Sequence, residues 1–355
     1  MYISKLTRFA VLFLIILSQG AYSFDKLKPV KQPVARQHKI PVVYHPGYNI
    51  SLLGGLETKI HPFDGSKYGK IATYLCYQFK LSEKSFHKPE KISDADLQRV
   101  HTPEYIKSLQ DSRTVASVAE IPYLSWVPNW ILQRKILNPM RLATQGTVDA
   151  VNLALEEGVA FNLSGGYHHA RTDRQLGGLC FFADISLAIN MVREKHPTCK
   201  TIVVVDLDAH RGNGLAQVRG DDQDTFIFDM YSEPNYPGSY DLQHARPTDT
   251  MIPVANGVSE AEYLTMLADK LANMIDRVKP DLVIYNAGTD IYAGDALGRM
   301  NVSAQGIITR DEHVFQVVRS RNIPLAMTLS GGYSKDSAAI VGRSIENLLR
   351  KYIKI

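Results

Sequence analysis

The sequence predicts an α/β domain, with a central, mostly parallel β-sheet flanked by helices on both faces. Three observations predict it. Apolar, β-branched runs of four to six residues recur along the chain, helical patterns lie between them, and each run breaks abruptly into a polar or glycine-rich turn.

The runs are "GVAFNLSGGYHH" (158–169), "KTIVVVDLDAH" (200–210), "PDLVIYNAGTD" (280–290) and "IPLAMTLSGGY" (323–333). Each is apolar enough to be buried on both faces, as a parallel strand between two helical layers must be. Between them, "SEAEYLTMLADKLANMIDRV" opens with a capping box, Ser259 with Glu262. It then repeats apolar residues at Leu264, Leu267, Leu271, Met274, Ile275 and Val278, one face of a helix. "TRDEHVFQVV" is expected to open in the same way, with Thr309 and Glu312, and a further helix is expected from Asp184 to about Glu194. No linker, charge block or repeat interrupts residues 40 to 350, so one large domain is expected.

In parallel sheets, ligands bind beyond the carboxyl ends of the strands. All four polar turns lie at that end. His168, His169, Asp206, Asp208, His210, Asp290 and Tyr333 are therefore expected on one rim, although their separation in sequence is large. Side chains two apart on a strand share a face, so Asp206, Asp208 and His210 point the same way, and the chain must curl after Asp208 for two of them to reach one ion. With Asp290, two carboxylates and one imidazole make an open, catalytic-type metal site. Mixed oxygen and nitrogen ligation suits zinc and tolerates Fe(II) or Mn(II). The glycines of "SGGYHH" let the backbone bend to present both histidines, which could bind metal or carry protons near neutral pH. Tyr333 offers a phenolic donor to a developing oxyanion. Metal, proton carrier and oxyanion donor together suit hydrolysis of an amide by activated water.

The motifs "SGGYHHA", "VVVDLDAHRGNG", "YNAGTD" and "LSGGY", in this order, resemble the histone deacetylase family, with its arginase/deacetylase fold. "HPFDGSKYGK" (61–70) resembles the family's N-terminal signature, and residues 285–315 look most like its class IV branch. The resemblance runs from about residue 40 to 350. It implies zinc ligands at Asp208, His210 and Asp290, with His169 as the main general base and acid and His168 assisting electrostatically. It also implies that Asp206 holds His168, that Asn213 sits behind His169, and that Tyr333 polarises the scissile carbonyl. Further implications are a monovalent cation, potassium, against the backbone of residues 206–210, and a Gly178 carbonyl that helps hold the amide. Two departures bear on the acyl channel. "HHARTDRQLGGLC" carries one residue more than usual, and Leu179 replaces a phenylalanine that often walls the channel, with Tyr236 filling the opposite wall. The implied activity is hydrolysis of Nε-acyl-lysine, either acetyl or long-chain.

Composition excludes other classes. The formal net charge is +4, and two of those charges, Lys5 and Arg8, lie in a segment expected to be removed. The near-neutral remainder, without a basic stripe, is no footprint for nucleic acid. Residues 1–23 have a basic start, an apolar run from Phe9 to Leu17 and the small–x–small sequence Ala21, Tyr22, Ser23. They read as a secretory signal peptide, which makes residues 24–355 the mature, exported catalytic domain; an uncleaved membrane anchor or a buried first helix is the other reading. Three cysteines without a C-x-x-C pair do not decide the compartment. No strand leads into G-x-G-x-x-G, which argues against a dinucleotide-binding protein. An arginase-like ureohydrolase would need two bridged manganese ions and more acids than "DAHRGN" and "NAGTDIY" supply. Two readings stay open beside lysine deacylation: deacylation of small N-acylated amines such as acetylpolyamines, and a non-catalytic acyl-amine binding protein. A monomer without membrane contact after signal cleavage is expected.

Overall fold

The structure is a computed structural model that describes residues 39–50, 62–173, 177–233, 235–238 and 246–353. The expected signal peptide (1–23) and residues 174–176 of the longer histidine-to-"GGLC" segment lie outside the described residues. Seven strands form one sheet: β1 (Val42–Val43), β2 (Val159–Asn162), β3 (Ile202–Asp206), β4 (Thr225–Glu233), β5 (Thr250–Ala255), β6 (Leu282–Asn286) and β7 (Leu325–Thr328). Their order is β1-β2-β7-β6-β3-β4-β5, and every pairing is parallel. The four runs read from the sequence are β2, β3, β6 and β7, four adjacent strands that include the centre of the sheet.

The valine run of β3 shows why both faces must be covered. Residues 202–205 are fully buried, and successive side chains enter different cores. Val203 and Val205 join Val283 and Tyr285 of β6 in a core shared with α5 (Glu260–Val278), α6 (Ala304–Arg319) and α7 (Ser337–Tyr352). Ile202 and Val204 join Leu282 and Ile284 on the other face. There they pack with α2 (Asn138–Glu157) and α3 (Asp184–Lys195). At roughly 1.5–3 kcal/mol for each fully buried aliphatic side chain, this two-sided burial dominates the stability of the sheet. An additional helix, α1 (Lys67–Phe79), packs on α7 and belongs to the first of these two cores, and the short α4 (Asn213–Val218) adds Leu215 and Ala216 to the second.

Strands β1, β4 and β5 are absent from the sequence reading for identifiable reasons. β1 is two residues long, β4 carries the buried Asp229 mid-run, and β5 contains Pro253, which a strand tolerates here because β5 is the sheet edge. The helix over 260–278 begins as expected: the Ser259 side chain accepts from the Glu262 amide, and Leu267, Leu271, Met274 and Ile275 are buried. Helix α3 runs from Asp184 as expected and ends at Lys195. The expected start of the next helix at Thr309 is wrong. α6 begins at Ala304 under a Ser303 cap that accepts from the Gly306 amide at 3.0 Å. Thr309 lies one turn inside, donating to the Gln305 carbonyl. The apolar face already starts at Ile307, so the earlier serine sets the boundary.

Ser303→Ala should therefore cost about 1 kcal/mol in chemical denaturation, whereas Thr309→Ala should change stability by less than about 0.5 kcal/mol.

Candidate active site

Four turns meet at the carboxyl end of the sheet. After β2, Gly165 and Gly166 adopt φ of +77° and +86°, values that side chains rarely tolerate, and reverse the chain. Asp184, buried at the start of α3, accepts the amides of Gly166 and Tyr167, both at 2.8 Å, and the Thr147 hydroxyl at 2.6 Å. The turn is thereby fixed, and it presents His168 and His169 side by side with ring centroids 4.2 Å apart.

The chain leaves β3 at Asp206, one step earlier than the strand periodicity suggests. The Asp208 amide donates back to Asp206 Oδ1 and the His210 amide to Asp208 Oδ1, so successive acids cap successive turns. Asp206 therefore does not share the metal face with Asp208 and His210. Its Oδ2 receives His168 Nδ1 at 2.7 Å, and its Oδ1 accepts from Asn286 on β6. Asp208, His210 and Asp290 converge instead, with one ligand atom from each lying within 4.8 Å of the others. His210 Nδ1 lies 3.0 Å from Asp208 Oδ1 and 3.0 Å from Asp290 Oδ2.

This donor set fits a divalent cation. All three side chains are buried, at 0–6% exposure, and the remaining carboxylate oxygens are oriented by fixed donors. Asp208 Oδ2 accepts from the Ser330 hydroxyl and the Gly331 amide, both at 2.8 Å, and Asp290 Oδ1 accepts from the Ala209 amide. Gly331 backs the cluster: a Cβ there would strike Asp290 Oδ2 and come within 2.6 Å of Asp208 Oδ2. Two buried carboxylates with a single imidazole are costly to keep together without a cation. Burial and the neighbouring Asp208 raise the Asp290 pKa. Burial opposes ionisation of His210, but hydrogen bonds to both carboxylates outweigh it and hold that imidazole at about 10.

The two adjacent histidines are in opposite states. Burial disfavours a charge on His168, yet Asp206 and then Asp208 overcome it and lift its pKa to about 9. His169 is driven well below its ordinary value by burial and by the charges of His168 and His210. Its Nδ1 faces Asn213 Oδ1 at 2.7 Å, an acceptor, so the ring proton sits on Nδ1 and Nε2 is left basic. Tyr333 stands edge-on to His210, with centroids 6.2 Å apart, and burial followed by Asp208 and Asp290 pushes its phenol well above the usual range. It stays a protonated donor.

These groups open on a pocket of about 200 Å³ lined by His169, Gly178, Leu179, His210, Tyr236 and Tyr333. The Tyr236 ring meets His169 at 90° and 4.8 Å, and Gly178 lies so close to the His169 ring that a Cβ would come within 2.6 Å of it. All eleven residues singled out in the sequence are thus brought to this rim or directly behind it. Sequence reasoning missed Asp184, whose signal was only a buried acid at a helix start. It also missed Lys67, buried, with its ammonium donating to the Ser330 carbonyl at 2.9 Å. A third is Arg310, whose guanidinium donates to the carbonyls of Leu207 (3.1 Å) and Gly288 (2.6 Å) behind the ligand turns.

An α/β domain whose central strands end in an acid–imidazole–acid cluster beside paired histidines and a tyrosine is the layout of a hydrolase. The chain belongs to the histone deacetylase family: the family's histone deacetylase domain matches residues 61–350. It is 42% identical over 313 residues to histone deacetylase 2 of Arabidopsis thaliana, covering 88% of this chain and 79% of that one. Among solved structures, the HDA15 HD domain superposes with a TM-score of 0.69 at 18% identity, covering 88% of both chains. Acetylpolyamine aminohydrolase from Burkholderia pseudomallei superposes with a TM-score of 0.65 at 17% identity, covering 87% of this chain and 98% of that one. These two likenesses bear on the fold.

Gly331→Ala should leave the fold intact while weakening metal binding on the order of 10–100-fold, as loss of a group that shapes a ligand shell does. Metal per chain after dialysis, by elemental analysis, checks it; Asp208→Ala should lose the ion outright.

Proposed function

We propose that the protein is a zinc-dependent deacylase of Nε-acyl-lysine, from the class IV branch of its family. The single observation that carries the chemistry is the split between His168, charged, and His169, neutral with Nε2 bare, beside a ligand cluster and a phenol. Asp208, His210 and Asp290 would hold the ion. When bound, zinc supplies a Lewis acid for the carbonyl and acidifies a water toward a pKa of ~7.

The chain's own residues do the rest. His169 Nε2 takes a proton from the attacking water, and Asn213 keeps the imidazole in the tautomer that can do so. His168 remains protonated on Asp206 and holds positive charge beside the reacting centre. The phenol of Tyr333 donates to the carbonyl oxygen as charge develops there. His169 then returns its proton to the leaving amine, so the amide bond breaks to a carboxylate and a free amine. Gly178 supports the amide, and Leu179 and Tyr236 wall the acyl channel.

Asp229 supports a second, monovalent cation near residues 206–210, which we assign to potassium. Its Oδ1 is buried without a hydrogen-bond partner among the described residues, and burial with the neighbouring Asp206 raises its pKa well above the usual carboxylate range. The pocket lining carries one acid and one base, Glu120 and Arg299, and acetylpolyamines stay the alternative amine. The basic-then-apolar segment of residues 1–23 supports export.

Tyr333→Phe should lower kcat by about 10²–10³ while KM changes little. Peptides with acetyl-, butyryl- and myristoyl-lysine, assayed beside acetylated polyamines, identify the substrate class. A metal-loaded wild type that turns over none of these would sink the reading.

A further inference from the structure

The turn that carries Tyr333 is held from outside by one carboxylate. Asp295 lies in "DIYAGDALG", five residues beyond Asp290, and is half-buried. Its Oδ2 accepts the backbone amides of Tyr333 at 2.6 Å and of Ser334 at 3.0 Å. Its Oδ1 accepts the amides of Leu297 at 2.9 Å and of Gly298 at 3.3 Å. Four backbone donors converge on this one carboxylate, the kind of acceptor that makes stronger bonds than a neutral oxygen does. The tie matters because of what precedes Tyr333: Gly332 has φ +134°, a conformation that side chains rarely adopt, so the chain turns there through a residue with no side chain of its own to set where the phenol is aimed. The same carboxylate fixes Leu297, which lines the pocket, and Asn235 Nδ2 donates to the Leu297 carbonyl at 2.8 Å, next to Tyr236.

We propose that Asp295 is the positioning residue for Tyr333: its carboxylate locks the Tyr333 turn to the 297–298 wall so that the phenol and the pocket keep one register. The inference rests on the reading that Tyr333 serves the reaction as a donor. An asparagine at 295 would turn an N–H₂ toward one of the two amide pairs, so Asp295→Asn breaks that tie at nearly constant shape.

Asp295→Asn is expected to lower kcat on the order of 10²-fold, the scale of a small misplacement of a reacting group, with KM within about 3-fold. In the Tyr333→Phe background the same change should cost less than about 3-fold, because the group it aims is already gone. Hydrogen exchange, which needs no turnover, should show faster exchange in the peptide bearing Tyr333 and Ser334, with metal content unchanged. Asp295→Glu, which keeps the charge, should recover part of the loss. Effects of Asp295→Asn and Tyr333→Phe that multiply, unaltered exchange at 333–334, or an Asp295→Asn protein that fails to fold would each overturn the proposal. A wild type without deacylase activity, but with the exchange difference intact, would overturn the functional reading and leave the tie standing.

Discussion

The level at which β3, β6 and β7 end governs everything at the site. In the sheet register Asp206 pairs with Asn286, and Asn286 with Thr328, so the three strands stop on one line. A ladder of side chains runs along that line: Thr328 Oγ1 donates to Asn286 Oδ1 at 3.0 Å, and Asn286 Nδ2 donates to Asp206 Oδ1 at 3.0 Å. Buried polar groups in a sheet core are costly unless fully paired, and here each pairs with the next strand. A slip of one residue in any of these strands would break the ladder and turn the strand's core residues to the wrong face. The turns that follow then start from a common height, so Asp208, Asp290 and Gly331 meet although they belong to different turns.

That height also concentrates charge where water is scarce. Asp206, Asp208 and Asp290 are buried within one small volume, and each is met by a fixed donor or a cation: His168 on Asp206, His210 between Asp208 and Asp290. Arg310, itself fully buried and bonded through Nε to Asp311, sends its guanidinium to the carbonyls of Leu207 and Gly288. Such networks add little to net stability compared with apolar packing, and removing one partner strands the other. Their presence here is explained by chemistry. A ligand group able to take a divalent cation keeps its carboxylates oriented through such fixed donors.

Much of this could be read in the sequence because parallel strands are buried on both faces and so write themselves as unbroken apolar runs. The four runs are β2, β3, β6 and β7, and their polar exits carry Asp208, His210 and Asp290 to one place. What escaped has a different grammar. The proline in β5 and the aspartate in β4 break the apolar pattern, and two residues of β1 make no pattern at all. Ser303 is hidden because "TRDE", five residues past the helix start, offers the same signature as a genuine cap, and only the burial of Ile307 decides between them. Asp184 and Asp295 act through carboxylates on backbone amides far away in sequence, for which composition gives no sign. Gly331 reads as a turn glycine, but what it provides is room beside two acids.

The same device recurs around the rim and explains how turns can be as well fixed as strands. Asp184 takes the amides of the histidine turn, Asp208 the amide of the Gly331 turn, Asp290 the amide of Ala209, and Asp295 the amides of the tyrosine turn. In every case a carboxylate from elsewhere on the rim, a helix start for Asp184 and a turn for the others, accepts N–H groups of the turn, so the turns form a linked set rather than separate loops. The set also accounts for the contrast between the two histidines. Both follow one turn held by Asp184, and the difference between them lies in what each ring meets: a carboxylate at Asp206 for His168, an amide oxygen at Asn213 for His169. A carboxylate stabilises an imidazolium, whereas a neutral amide only selects a tautomer. Two identical neighbours in the chain thereby become a fixed cation and a free base.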